Sequence, residues 1–489
     1  MTAARRYVAL LGAALLSMAH VGSPDTFFTG TAGPYDVRVS VRLPGVIPGR
    51  AQVAVRVVGA TTAGEHRVAI RAGQWNVGLD GAPPPDIATP VPGDPALYSA
   101  ELWFMTPTSY QLAVEVAGPA GSGSVIVPVL ALATAQRAMP PWLGGVLTAL
   151  GLLLTVGFLT IIGTAVRESV LPPGEEPDAQ RRRRARWGIA TTAVGVILIL
   201  WGGNLWWAAE AGSYGEFVLY RPFAAEAAIA RRAERETLTL SIRDERWTGK
   251  IVPESRYNAL LPDHGKLMHL FLVREAALDA FAHLHPVART AEALDFDVTL
   301  PPLPRGRYRV YGDIVHESGY AQTLVSSVDI ESGNDAALSD PDDSWFTGPA
   351  TAESPSASTT LDDGSRLVWL RGNETLVAGD EETLAFAVRD AAGAPTTVEP
   401  YMGMAGHVVV TNVDGSVFVH LHPAGSISMA AWQKFSRAAA TGDHATHVDS
   451  LAGELAIPFA FPKAGKYRIW VQIKRGGRVM TGAFDLVIL

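Results

Sequence analysis

Apolar and polar residues trade places at almost every position over much of the chain, as in YDVRVSVRL (35–43), AQVAVRVV (51–58) and YQLAVEVAG (110–118). Pro and Gly interrupt the pattern every eight to twelve residues. A period of two places successive side chains on opposite faces of a strand. Residues 23–137 are therefore expected to form an all-β sandwich outside any membrane.

Two stretches abandon the alternation. Residues 138–166 and 187–209 contain no charged side chain, and each exceeds the roughly 20 residues that a bilayer-spanning helix needs. Trp142, Trp187, Trp201, Trp206 and Trp207 lie near their ends, where indoles favour the headgroup region. The intervening segment, 167–186, holds six arginines and is expected to be a cytoplasmic loop, because short Arg-rich loops stay inside. The first 22 residues, with Arg5-Arg6, an apolar run and Ser17-Met18-Ala19, have the layout of a secretory signal or anchor. Most of the chain is thereby expected on the periplasmic side of a bacterial inner membrane.

Residues 210–236 include PFAAEAAIARRAERE, which predicts a short amphipathic helical stalk. Beyond it the chain repeats itself. The first copy, 237–330, carries HLFLV, FAHLHP and GRYRVYGDIV; the second, 365–489, carries HVVVT, FVHLHP and GKYRIWVQIK in the same order. Between them, residues 331–364 are acidic and rich in Ser, Thr, Pro and Ala, the composition of a flexible linker. The fold class expected is mainly β: three immunoglobulin-like β-sandwich modules plus two transmembrane helices.

The repeated histidines carry the chemistry. In HVVVTNVDGSVFVHLHP, Asp414-Gly415 predicts a two-residue type I′ turn, so facing residues have numbers that sum to 829. His407 then opposes His422, His420 opposes Val409, and all three imidazoles share one face. Opposed Cβ atoms lie roughly 4.5–5.5 Å apart and diagonal ones roughly 7–8 Å, within reach of one ion. The same logic collects His269, His283 and His285 in the first repeat. Neighbours that could complete a shell are Met402, Met404 and Met429 in the second repeat, and Asp263, His264 and Met268 in the first. Asp313, matched by Gln472, could position a ligand. His66, His316 beside Glu317, and His444 and His447 in GDHATHVD read as structural or solvated.

GSVFVHLHP, a strand beginning near Ala456 and FPKAGKYRIWVQ resemble the FixH/YtkA-like group of bacterial periplasmic β-sandwich domains. The resemblance covers the last module and, more loosely, the other two. It implies association with membrane-bound respiratory assembly and with copper or other metal handling. Here the helical pair sits mid-chain rather than as one N-terminal anchor.

Composition narrows the function. Twelve His and no Cys remove disulfides, thiolate metal sites and a cysteine nucleophile. A net charge of −8 gives no electrostatic footprint for nucleic acid. No serine elbow, HExxH or phosphate loop is present, so a His₃-bound hydroxide is the weakest expectation. The leading one is a membrane-anchored protein that carries, buffers or senses a metal ion through two His₃ clusters, copper preferred and zinc the alternative. Two tethered sites could share an ion through high effective concentration. Its partners would be the bilayer and a membrane protein complex or metal transporter. The competing expectation is a metal-free assembly protein.

Overall fold

A computed structural model describes residues 20–21, 25–172, 174–232, 235–244, 259–290, 294–331, 338, 340–350, 357–371, 375–439 and 451–489. Most of the expected signal segment, and the GDHATHVD insert with His444 and His447, lie outside the described residues.

The described chain divides into two units. The smaller, 133–220, is built on helices α1 (Pro141–Glu168) and α2 (Ala179–Phe217). At 1.5 Å per residue these run about 42 and 58 Å, more than the roughly 30 Å hydrocarbon core of a bilayer. Their best windows have mean hydropathies of 2.3 and 1.6, and Leu154, Ile199 and Trp206 stand open. Both helices are thus long and apolar enough to cross a membrane. Any side chain at Gly163 would meet Ile189 at 2.7 Å, so the two helices approach closely there. The Arg-rich segment is not all loop. Asp178 accepts from the Arg181 backbone N–H at 2.7 Å and caps α2, whose first turns contain Arg181–Arg184 and Arg186. Arginine is a good helix former, and the cap starts the helix early.

Among the described residues, the larger unit holds six sheets, antiparallel apart from the short pairing of residues 20–21, forming three two-layer sandwiches. The expected stalk helix is instead an antiparallel pair, Ala225–Arg232 with Arg235–Ile242. Helix propensities differ by only a few tenths of a kcal/mol per residue among such residues. Pairing, with Ala225, Ala227 and Ile229 set against the first repeat's core, outweighs them. The acidic linker is likewise partly built in. Ser344–Thr347 adds a strand beside Ala280–Leu284, and Asp343 and Ser344 are buried. Buried backbone must find hydrogen-bond partners, and the open strand edge supplies them.

The hairpin register holds, with Val409 opposite His420 and Val408 opposite Leu421. Its turn differs. Residues 413–416 form a longer loop in which Gly415 takes φ 69°, and Asn412 Oδ1 accepts from the Val417 N–H. Asp414 Oδ1 accepts from the Ser416 N–H at 2.8 Å, and its Oδ2 accepts from Lys463 Nζ at 3.1 Å.

The position of the histidines follows from how these sheets stack. In the first repeat, Leu270, Leu272, Ala282, Leu284 and Val310 face its own core. In the second, Val408, Val410, Val419, Leu421 and Ile469 do the same. The opposite faces of both sheets meet, and Phe271, Val273, Phe281, Tyr311, Val409, Phe418 and Trp470 form one shared core. The order of layers is sheet, sheet, sheet, sheet, with a second apolar seam between the repeats. That seam is pseudo-two-fold. Phe281 stacks on Trp470 at 4.7 Å, and its counterpart Phe418 stacks on Tyr311, the counterpart of Trp470, at 3.9 Å. Arg468 donates to the Leu278 carbonyl, while Arg309 and Tyr311 donate to Val413 and Gly415 on the other side.

The first sandwich is seated on the second repeat. Thr29 N–H donates to Ala424 O, Ser426 N–H donates to Phe27 O, and a side chain at Gly425 would strike Phe27 O at 2.0 Å. Residues 20–21 pair in parallel with Val417 and Phe418.

Candidate metal centre

At one end of the seam the aromatic residues give way to histidines. Strand alternation that sends Phe271 into the seam sends His269 there too, and Phe281 and Phe418 are followed on their faces by His283, His285, His420 and His422. The two expected clusters therefore do not stand apart. They face each other and merge into one centre. His283 lies 5.9 Å from His407 and 5.6 Å from His420 between ring centroids, and His269 lies 5.5 Å from His420.

A seventh imidazole, His264, joins across the seam. Asp263–Lys266 is a tight turn closed by reciprocal backbone bonds of 2.8 and 2.9 Å, with φ 52° at His264 and 80° at Gly265. Positive φ at both central positions is the type I′ signature. A non-glycine residue there costs on the order of 1–3 kcal/mol. Tyr401–Met404 makes the same turn in the second repeat, with Met402 at φ 49°. His264 turns away from its own repeat, with centroids 5.6 Å from His407 and 5.3 Å from His422.

Two groups of three emerge whose ligand nitrogens lie within 4.8 Å of one another: His264, His407 and His422, and His269, His283 and His285. His420 touches both, 4.5 Å from His422 by centroid. All seven are buried or nearly so. Burial first, then neighbouring imidazoles, holds His269, His283, His407 and His422 well below the usual histidine range. Burial also lowers His264. These rings stay neutral and available as ligands.

Outer contacts orient the rings. Asp343 Oδ1 accepts from His285 Nδ1 at 2.9 Å and from its backbone N–H at 2.8 Å. Asp313 Oδ2 stands 3.4 Å from His420 Nδ1, and Ile427 O stands 3.3 Å from His422 Nδ1. Each contact engages one nitrogen and leaves Nε2 inward, the arrangement that fixes a metal-ligating histidine. Asp313 of the first repeat thus serves a histidine of the second. Its counterpart Gln472 does the reverse, facing His283 Nδ1 at 2.9 Å.

The His269–His283 contact is the sharpest. Gln472 Nε2 donates to Ser344 Oγ, so its Oε1 accepts from His283 Nδ1, leaving Nε2 bare. His269 Nε2 faces the Asp263 carbonyl at 3.2 Å and must donate, leaving its Nδ1 bare. The two bare nitrogens stand 3.0 Å apart. A proton between them is disfavoured by burial. Two imidazoles bound to one tetrahedral ion at 2.0–2.1 Å would sit about 3.3 Å apart, so a cation fits.

A third group, His285 with Asp340 and Asp343, lies within the same 4.8 Å limit. Lys266 pairs with Asp340, and Asp343 is spent on His285, so this group reads as support. Met268 points into the first repeat's core near Gly312 and Leu240, away from the histidines. Met402, Met404 and Met429 are half-buried. His316 packs against Phe223 and Tyr320, and His66 against Tyr35, both outside the centre.

Sequence reasoning sets His264 beside His269, whereas the structure groups it with His407 and His422, and it misses Asp343. His264 followed by Gly265 was the available signal, since HG at a turn marks positive φ. An aspartate in an acidic segment carries no such mark.

The family comparison matches the chain over residues 224–331 and 359–488 to a model described as Domain of unknown function (DUF8832). These stretches enclose the two repeats and all seven histidines. A search of curated proteins finds no match. Among solved structures, the chain is similar at 9% identity to a tetra-tandem repeat in the extending region of a large adhesion protein, covering 91% of this chain and 72% of that one with TM-score 0.16. It is similar at 8% to the chicken CNTN1 FN1-FN3 domains, covering 94% and 99% with TM-score 0.13. It is also similar at 8% to the ICAM-5 D1-D4 ectodomain fragment, covering 95% and 83% with TM-score 0.14. Likeness this slight supports no functional comparison. The FixH/YtkA resemblance rests on strand and turn pattern alone.

Proposed function

We propose that this chain is a membrane-anchored, extracytoplasmic protein that holds copper in the seven-histidine centre between its tandem sandwiches. One observation carries the metal reading. His264 Nε2, His285 Nε2, both nitrogens of His407, His420 Nε2 and His422 Nε2 are buried without a hydrogen-bond partner. An unsatisfied buried polar group costs about 1–3 kcal/mol. Six of them cost roughly 6–18 kcal/mol, comparable to the whole stability of a domain, about 5–15 kcal/mol. Metal coordination satisfies one nitrogen of each such ring, and so removes most of that cost.

Copper is favoured because imidazole sets without thiolate suit copper or zinc, and Cu²⁺ binds most tightly in the first-row order. Burial of the ligands favours retention of the ion over rapid passing. The six arginines between the helices favour placing both repeats outside, and the uncharged helices favour an anchor over an ion path.

The test is metal content and affinity of the full-length chain, purified in detergent without a His-tag and titrated with Cu(II) and Zn(II). Copper bound more tightly than zinc, and lost in His407/His420/His422→Gln with the melting transition retained, is the expected result. Zinc held in preference would overturn copper. Absence of any tight metal would overturn the metal reading and leave the metal-free assembly protein.

A further inference from the structure

Resting on that metal reading, the reciprocal arrangement of the repeats carries a second step. We infer that the centre is dinuclear: one copper is held by His264, His407 and His422, the other by His269, His283 and His285, with His420 between them.

The two groups share no residue. An ion bound by imidazoles takes four or five ligands, so a single ion could engage only part of a seven-histidine set. The unpartnered nitrogens lie on both sides, at His285 in one group and at His264, His407 and His422 in the other. One ion at either group leaves the other group's buried nitrogens unsatisfied. The facing nitrogens of His269 and His283, 3.0 Å apart, suit a cation on their side, while His407, with neither nitrogen partnered, suits one on the other.

Charge agrees with two cations. Three carboxylates are turned toward histidines: Asp343 on His285 at 2.9 Å, Asp313 on His420 at 3.4 Å, and Asp263 near His264 at 3.7 Å. Asp263 also accepts from the Ala430 N–H at 3.0 Å, which anchors its turn to helix α3 (Met429–Ala439). The neighbouring Asp340 and Asp342, by contrast, are neutralised by Lys266 and Lys474. One carboxylate therefore accompanies each histidine group, and a third accompanies the histidine that both groups touch.

The pseudo-two-fold relation explains the ligand asymmetry. The residue at this turn position is His264 in the first repeat and Met402 in the second, and the imidazole reaches across the seam. The group under the second repeat gains an imidazole from the first, whereas the opposite group draws its three from a single repeat.

The experiment loads the full-length protein in detergent with Cu(II), counts copper per chain, and compares it with the electron-spin count of its paramagnetic resonance spectrum. Two coppers per chain with a spin count well below the copper count, because neighbouring Cu(II) ions couple, is the expected result. His264→Asn, in which Asn tolerates the positive φ, and His285→Gln should each leave one copper per chain with full spin count. His422→Gln repeats the His264 arm should that variant lose its melting transition. One copper per chain in the parent protein, or loss of all copper in both variants, overturns the dinuclear assignment while leaving the metal reading intact. No copper in the parent protein overturns both.

Discussion

Acidification of the metal-free protein should pull its two repeats apart. His269, His283, His407 and His422 are fully buried and held well below the usual range, by burial first and by each other second. In the unfolded chain each would titrate near its ordinary value of about 6.5. The unfolded state therefore binds more protons once the pH drops below that value, and stability falls with pH. The contribution is fully present above about pH 6.5 and is lost as the pH falls beneath it. Each histidine costs about 1.4 kcal/mol per pH unit. At about pH 5 that is at most about 2 kcal/mol per ring, and at most roughly 8 kcal/mol for four, against a total of about 5–15 kcal/mol. The assay follows thermal unfolding of the metal-free full-length chain in detergent from about pH 7.5 to 5. Near-ultraviolet circular dichroism, compared with a Trp470→Phe control among the twelve tryptophans, isolates the band of Trp470, stacked on Phe281 across the seam. The melting temperature should hold above pH 6.5 and drop steeply below it, with loss of the tryptophan band. Copper-loaded protein should resist until protons displace the metal. A melting temperature unchanged across the whole range would refute the claim that these imidazoles are buried and neutral.

Asp343→Asn removes the carboxylate that holds His285 by its ring and backbone. Copper affinity should fall about 10–100-fold in competition titrations, with the fold intact. Arg468→Met strips a buried guanidinium that bonds Asp485 twice at 2.7 Å and the Leu278 and Pro349 carbonyls at 2.8 Å each. Denaturant unfolding should show a loss of about 3–5 kcal/mol, and Arg468→Met with Asp485→Leu should recover part of it. Lys474→Met releases Asp342, whose backbone carbonyl accepts from Tyr401 OH beside His283. Chelator extraction of copper should accelerate several-fold in this variant while equilibrium affinity changes little.

Several features of this protein are local, and the sequence determined them unaided. Period-two alternation placed His407, His420 and His422 on one strand face, because strand geometry leaves no other choice once a register is set. The HLHP repeats marked the two sandwiches, and the uncharged runs marked the helices, since length and hydropathy suffice for both. The hairpin register survived even though its turn was longer than expected, because buried Val408, Val410 and Leu421 hold it in place.

Tertiary structure decided the rest. Ala225–Arg232, within the expected stalk, became strand because a sheet edge and a core were waiting for it, and weak helix propensity could not compete. Asp343 entered the centre because a stretch of acidic linker found an open strand edge. Above all, one strand face of histidines looks like one site until the opposing sheet arrives. The stacks of Phe281 on Trp470 and Tyr311 on Phe418 bring the two faces together, and they join residues more than 100 positions apart. No local pattern encodes such a contact. It depends on the complementarity of two finished surfaces, and those surfaces turn two expected clusters into one centre.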